Sequence, residues 1–387
     1  MANILDYIQW RGDLAFSADP FNEVDNLILA RLSYIDFDDL DSRGEELDSI
    51  SRRYIHSETR MNPGLMLNEG TKPLLETAGD SSRFGSLFVR AFINKIDFDN
   101  QLQFSAVVFE LDRKTAYIAF RGTDDTLVGW KEDFNMSFMD VVPAQLEAAS
   151  YLNDVVSKYG YRKIYVGGHS KGGNLAVYAS VHLKKRLKRC IETVYNNDGP
   201  GFGSNLLETA EYQEISGRIT TLIPKSSVVG LLLEHEEQYR VVESSQKGIM
   251  QHDGLSWEVK GKDFVYLPEL KDDARIFDKT TKSVLKKLSL EQRAAFSTVL
   301  FDLLSVNDSK TLTELNNGGL SNFFKMSENY SKLDREMKKL IFDTLSLFFG
   351  ESFKSFLDVS GLNQWQNKMK LWREETRDEI ESFFRKL

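Results

Sequence analysis

The sequence predicts an α/β fold, a mostly parallel sheet flanked by helices, with an all-helical carboxyl-terminal region after it. Three observations predict it. Apolar strands alternate with helical stretches between Phe104 and Pro224. A strand, a glycine-rich turn and a helix follow one another without a break around Ser170. Beyond about Leu270 the strand signals fade into Leu/Phe-rich segments with helical spacing.

Residues 1–85 read as an amino-terminal helical and loop segment. LILARLSYI, from Leu27 to Ile35, has the spacing of a helix, and the stretch after Asp36 is acidic, polar and punctuated by Gly and Pro, as in a long loop. Residues 86–270 read as the core. FSAVVFELD, the turn residues Asp112-Arg113-Lys114 and TAYIAFRGT form a hairpin by pattern. An amphipathic helix from Ala144 to Tyr159 then leads to the strand KIYVGG. After Ser170 come a small-residue helix (GGNLAVYASVHL), a strand (IETVYNND), a glycine-rich loop (GPGFG), a helical stretch and another strand (ITTLIP). This rhythm favours parallel strands joined by right-handed crossovers. Residues 271–387 read as helical, in EQRAAFSTVLFDLLS, REMKKLIFDTLSLFFGESFKSFL and LNQWQNKMKLWREETRDEIESFF.

Composition narrows the functional classes. With 387 residues, 41% hydrophobic, the chain can bury a large core. Its net charge of −9 repels phosphates, so nucleic acid is not an expected partner. The single cysteine, Cys190, cannot build a disulfide framework or a thiolate metal site within one chain. MANILDYIQWRGD lacks a basic stretch followed by an apolar core, and no apolar run approaches the ~20 residues of a membrane span, so a cytoplasmic location is expected. No Walker-type loop, dinucleotide fingerprint or HExxH motif appears, and no cofactor or metal is expected.

The chemistry concentrates at Gly168-His169-Ser170-Lys171-Gly172. A GxSxG match alone is weak, but this one follows the strand residues Ile164, Tyr165 and Val166 and opens a helix, the strand-turn-helix setting of a nucleophile elbow. Gly168 and Gly172 remove side chains that would clash at so sharp a turn. The helix amino terminus offers unpaired N–H groups to a developing oxyanion, which makes the N–H of Lys171 one candidate donor.

FRGT at Phe120 to Thr123, Trp130 and Asp133 in GWKEDF, and GHSKGG together resemble the lipase class 3 group of α/β-hydrolases, over roughly Phe104 to Trp257. GHSKGGNLA with NNDGPGF further resembles an uncharacterised bacterial group of lipase-like proteins. The resemblance implies an α/β-hydrolase-like fold and an acyl-transfer reaction, and leaves the substrate open. It also implies a second oxyanion donor at Thr123, whose backbone N–H and hydroxyl can both donate. Against this stands a plain strand-end turn that uses Gly122 for its backbone.

A catalytic serine on this fold needs an acid and then a histidine later in the chain. Of the five histidines, His56 and His169 precede Ser170, and His182 in HLKKRLKR faces solvent by pattern. His252, in a loop after the strand YRVVES, is the favoured base. His235, in LLLEHEEQY, reads better as a structural histidine paired with Glu234, Glu236 or Glu237. For the acid the sequence departs from the lipase pattern, which places an aspartate in a DPVP-like segment after the strand matching TTLIP. Here IPKSSVV carries no carboxylate, and Asp198, at the end of the preceding strand, is the substitute, with a turn aspartate as the alternative. Ser227 could instead orient His252 through a neutral hydrogen bond, and Asp253 is expected to point elsewhere. Lys171 could attract an acidic substrate, but pairing with a surface carboxylate is the commoner use of a lysine.

The expected function is a serine hydrolase cleaving a carboxylic ester, of a lipid or other acyl substrate, through Ser170, His252 and Asp198. The rival is a hydrolase-fold protein with weak or lost activity whose helical region binds a partner; the missing DPVP-like aspartate speaks for it. Phe342, Leu345, Leu347, Phe348, Phe349, Phe353 and Phe356 cluster in that region. They read as a bundle interior more readily than as a lid or membrane-surface face. The acidic loop near Asp36 to Asp48 could cover the site, but no residue ties it there. The oligomeric state is not legible.

Overall fold

The computed structural model describes residues 1–38, 44–55, 70–124, 126–272, 274, 275 and 289–311, with single positions between 314 and 337. The chain begins with helices α1 (Ile4–Arg11) and α2 (Glu23–Leu32). In each, an asparagine and the aspartate three residues later form a reciprocal capping box, Asn3 with Asp6 and Asn22 with Asp25. Strand β1 (Glu45–Glu46) and helices α3 (Leu47–Ile55) and α4 (Thr71–Gly79) follow. The expected long loop after Asp36 is thus partly helical, because Leu47, Ile50, Leu74, Leu75 and Ala78 have the apolar core to pack into.

Strands β2 (Phe88–Asp97), β3 (Leu102–Asp112) and β4 (Thr115–Phe120) form an antiparallel meander. The β3–β4 hairpin turns at Arg113 and Lys114 as the pattern predicts. Helices α5 (Leu127–Asn135) and α6 (Pro143–Tyr159) lead to β5 (Lys163–His169), α7 (Lys171–Val181), α8 (Lys185–Lys188) and β6 (Ile191–Asn197). Proline opens α6 and Gly160, at φ 66°, ends it in the left-handed conformation. Then come α9 (Ser204–Leu207), α10 (Ala210–Ser216), β7 (Ile219–Pro224), β8 (Tyr239–Val242) and the short strands β9 (Val259–Lys260), β10 (Asp263–Phe264) and β11 (Tyr266–Leu267).

The sheet order is β1-β2-β3-β4-β5-β6-β7-β8-β11. Strands β4 to β8 are parallel neighbours, while β1 to β4 and the β8–β11 pair are antiparallel, so the sheet is mixed around a parallel centre. Its two faces follow the two-residue period of a strand. Val107, Phe109, Tyr117 and Ala119 pack with α1 to α4, whereas Phe104, Ala106, Val108, Ile118 and Phe120 pack with α6, α7 and α10. At about 1.5–3 kcal/mol for each large side chain removed from water, these two layers hold the sheet rigid beneath the site.

Arg83, buried, forks onto Asp25 at 2.6 and 2.8 Å and donates to the carbonyls of Leu14, Asp19 and Pro20, fastening the amino-terminal segment to this body. Helix α11 (Leu290–Leu304) packs Phe296, Leu300 and Phe301 against Leu127 of α5. The other helical segments expected beyond residue 271, and the cluster from Phe342 to Phe356, lie outside the described residues, as does His56.

Candidate active site

Ser170 sits between β5 and α7 at φ 58° and ψ −135°, a conformation that an L side chain adopts only under constraint. The constraint is visible on both sides. A Cβ on Gly168 would lie 2.3 Å from the Gly172 carbonyl carbon, and one on Gly172 would lie 2.1 Å from the Phe120 carbonyl oxygen, so no other residue fits. The Ser170 N–H bonds the Asn197 carbonyl at 2.9 Å, tying the elbow to β6. Lys171 is the first residue of α7, so its N–H has no intrahelical carbonyl to bond and lies at the positive end of the helix dipole.

Asp198, the residue after β6, is buried at φ 51°, with its N–H on the Leu222 carbonyl at 2.8 Å. One carboxylate oxygen lies 2.7 Å from His252 Nδ1. The other accepts the Ser227 hydroxyl at 2.5 Å and the Gly230 N–H at 3.1 Å. Ser227 therefore holds the carboxylate and does not touch the imidazole, which settles the geometry in favour of Asp198 as the partner of His252. His252 ends a 3-10 turn, Gly248–His252, with its side chain 11% exposed. Among the described residues no hydrogen bond joins it to Ser170; such bonds often tighten only when substrate arrives.

Beside the serine, β4 runs into Gly122 and Thr123. A Cβ on Gly122 would be 3.1 Å from that of Ser170, so the two loops are in contact. The Thr123 hydroxyl donates to Asp133 at 2.5 Å, which leaves the backbone N–H as the group this residue can offer an oxyanion. Burial pushes the Asp133 carboxyl up to about 6, against the pull of the Lys171 charge and the Thr123 hydrogen bond.

Lys171 corrects the sequence reading. Its side chain does not reach a surface carboxylate but is wholly buried, with Nζ bonded to the Gln103 carbonyl at 2.9 Å, the Gln103 side chain at 2.5 Å and Glu132 at 3.0 Å. Glu132 in turn accepts the N–H groups of Gln103 and Ala144. The lysine thus joins the elbow to β3, α5 and the start of α6. A buried, fully engaged ammonium is not available to a substrate.

The remaining sequence candidates separate cleanly. His182 is exposed at the end of α7, stacked on Tyr178. His235 lies between Glu237 at 3.0 Å and the Gly230 carbonyl at 2.8 Å, a structural pairing as read. Asp253 faces Arg31, not His252. His169, Gln103 and Glu132 are not legible in the sequence: chain order excludes the first as a base, Gln103 sits in no motif, and Glu132 only neighbours Asp133 in GWKEDF. Among the described residues no cluster of three or more His, Cys, Asp or Glu side chains could hold a metal ion.

The family described as Mbeg1-like matches residues 78–302. No curated protein matches the chain. Similar solved structures include a fungal lipase (12% identity, 66% of this chain and 90% of the other, TM-score 0.40) and lipase II from Rhizopus niveus (14%, 76% and 94%, 0.36). A mutant form of MDLA from Penicillium cyclopium is similar at 12% identity over 65% of this chain and 87% of the other, with a TM-score of 0.38. The family match spans more than half of the chain, and the protein belongs to the Mbeg1-like family.

Proposed function

We propose that the protein is a serine hydrolase that cleaves a carboxylic ester of a lipid or other acyl substrate. The observation that carries this reading is the 2.7 Å pairing of buried Asp198 with His252 beside a serine held in an elbow. With Nδ1 donating to Asp198, Nε2 of His252 is the basic nitrogen that takes the Ser170 proton as Oγ attacks the ester carbonyl. The oxyanion is met by the N–H groups of Thr123 and Lys171. The imidazolium, stabilised by Asp198, returns the proton to the leaving alcohol, and a water repeats the cycle on the acyl-serine.

The rival reading, a partner-binding module without activity, drew on the missing carboxylate after TTLIP. Asp198 reaches His252 from the neighbouring strand, so that argument loses its force.

A fluorescent fluorophosphonate should label the wild-type protein and fail to label Ser170→Ala and His252→Ala, and p-nitrophenyl esters of graded chain length should be hydrolysed with the same dependence. Folded wild-type protein that resists labelling, with and without detergent, would sink the hydrolase reading.

A further inference from the structure

His169 is wholly buried and bonded through both ring nitrogens. Nε2 lies 2.6 Å from the carbonyl oxygen of His252, and Nδ1 lies 3.3 Å from the Tyr34 hydroxyl. A carbonyl oxygen only accepts, so Nε2 carries the proton and Nδ1 presents its lone pair to the phenol. Burial first, then the nearby His252 and Arg31, holds the His169 pKa well below the usual imidazole range, so this arrangement stays neutral.

Tyr34 reaches further still. Gly122 lies against the same phenol, and a Cβ built on it would come within 2.2 Å of the phenol oxygen. The imidazoles of His169 and His252 stand 4.5 Å apart, and the next residue of the base loop, Asp253, faces the buried Arg31 at 3.3 Å. The loops bearing Ser170 and His252 are therefore bonded to one phenol–imidazole pair, and the loop bearing Thr123 packs against it at Gly122. Half of that pair comes from residues 1–38, which precede the family match at 78–302.

We propose that Tyr34 and His169 are positioning residues that hold the base loop and the oxyanion loop in register with Ser170, so that the amino-terminal segment completes the active site. An apolar side chain would satisfy packing at position 169. A neutral imidazole with both nitrogens engaged, across 135 and 83 residues of chain, fixes where the His252 backbone lies. The catalytic role of Ser170 and His252 is the reading this inference rests on.

The test uses the full chain with His169→Leu, His169→Gln and Tyr34→Phe. On p-nitrophenyl butyrate, His169→Leu should lose about 100-fold in kcat, the size of effect that a misplacement of about 1 Å produces, with KM little changed. His169→Gln, whose amide can replace the Nε2 donor, should recover most of the loss, and Tyr34→Phe should fall between. A second readout does not need turnover. The proton shared by His252 Nδ1 and Asp198 gives a downfield proton NMR signal, assigned by its loss in His252→Gln. It should shift or broaden in His169→Leu and return in His169→Gln.

An unchanged signal and unchanged kcat in His169→Leu would make His169 mere packing and overturn the proposal. Wild-type protein inert to esters and fluorophosphonate would defeat the hydrolase reading, while the NMR comparison would still decide the positioning. Should His169→Leu fail to fold, Tyr34→Phe, which removes one oxygen, makes the same comparison.

Discussion

Asp198, paired with His252, and Asp133, paired with Thr123, are treated in opposite ways by the fold. Asp198 engages both carboxylate oxygens, with His252 on one and Ser227 and Gly230 on the other. Asp133 takes the Thr123 hydroxyl on one oxygen and has the other buried without a hydrogen bond, 4.0 Å from Lys171 Nζ. The first carboxylate is immobilised by partners on two separate loops. The second retains unspent acceptor capacity, and burial without compensation moves its titration towards neutrality. The Asp198 carboxylate has both oxygens engaged in the resting structure, whereas Asp133 keeps a group able to change its protonation state.

The strongest test of this contrast is Asp198→Asn. An amide at that position favours the wrong tautomer of His252 and cannot stabilise the imidazolium, so kcat should fall by about 10⁴-fold with folding intact. A loss under tenfold would place the orienting acid elsewhere and erase the distinction between the two aspartates.

Next in size is Lys171→Met. Removing the ammonium leaves Glu132 in the interior without its cation, which should cost about 3–5 kcal/mol in urea unfolding. The double variant Lys171→Met/Glu132→Gln should regain part of it, since no unpaired charge then remains. Equal midpoints for wild type and Lys171→Met would show that the pair contributes no stability.

The smallest effect belongs to Asp133→Asn. A carboxyl raised from the ordinary 3.8 to about 6 keeps its proton in the folded state after the unfolded chain has lost it. Its contribution is therefore fully present below pH 3.8 and disappears as pH rises through about 6. The variant should flatten the stability–pH curve across that window by about 1–2 kcal/mol, allowing for the 26% exposure of the side chain. A curve that keeps its slope in Asp133→Asn would assign the titration to another group.

Local signals suffice where one element carries its own evidence. The β3–β4 hairpin, α6, the elbow and the strands β6 and β7 all have periodicity and turn residues within a few positions. Strand β2 was not legible, because FVRAFINKID is interrupted by charge and bulges at Ala91, which sits at φ 54°. Helices α3 and α4 escaped for a related reason: each is only nine residues long, and the packing beneath it, not its own propensity, makes it a helix.

The same division runs through the site. Ser170 stands in a contiguous motif whose backbone demands, glycines on either side and a strand feeding a helix, are written in adjacent residues; Thr123 follows from the resemblance to class 3 lipases, chain order leaves His235 and His252, and a strand end offers Asp198 beside Ser227. The sequence by itself determined the elbow, because a sharp turn and a strand-helix junction are local constraints. Tertiary structure alone decided that Lys171 is buried, that Ser227 serves Asp198, and that His169 reaches the His252 loop, since those outcomes depend on partners 68, 29 and 83 residues away. A polar side chain goes wherever its hydrogen bonds can be satisfied, and only the folded sheet brings Gln103, Asp198 and the His252 carbonyl within reach.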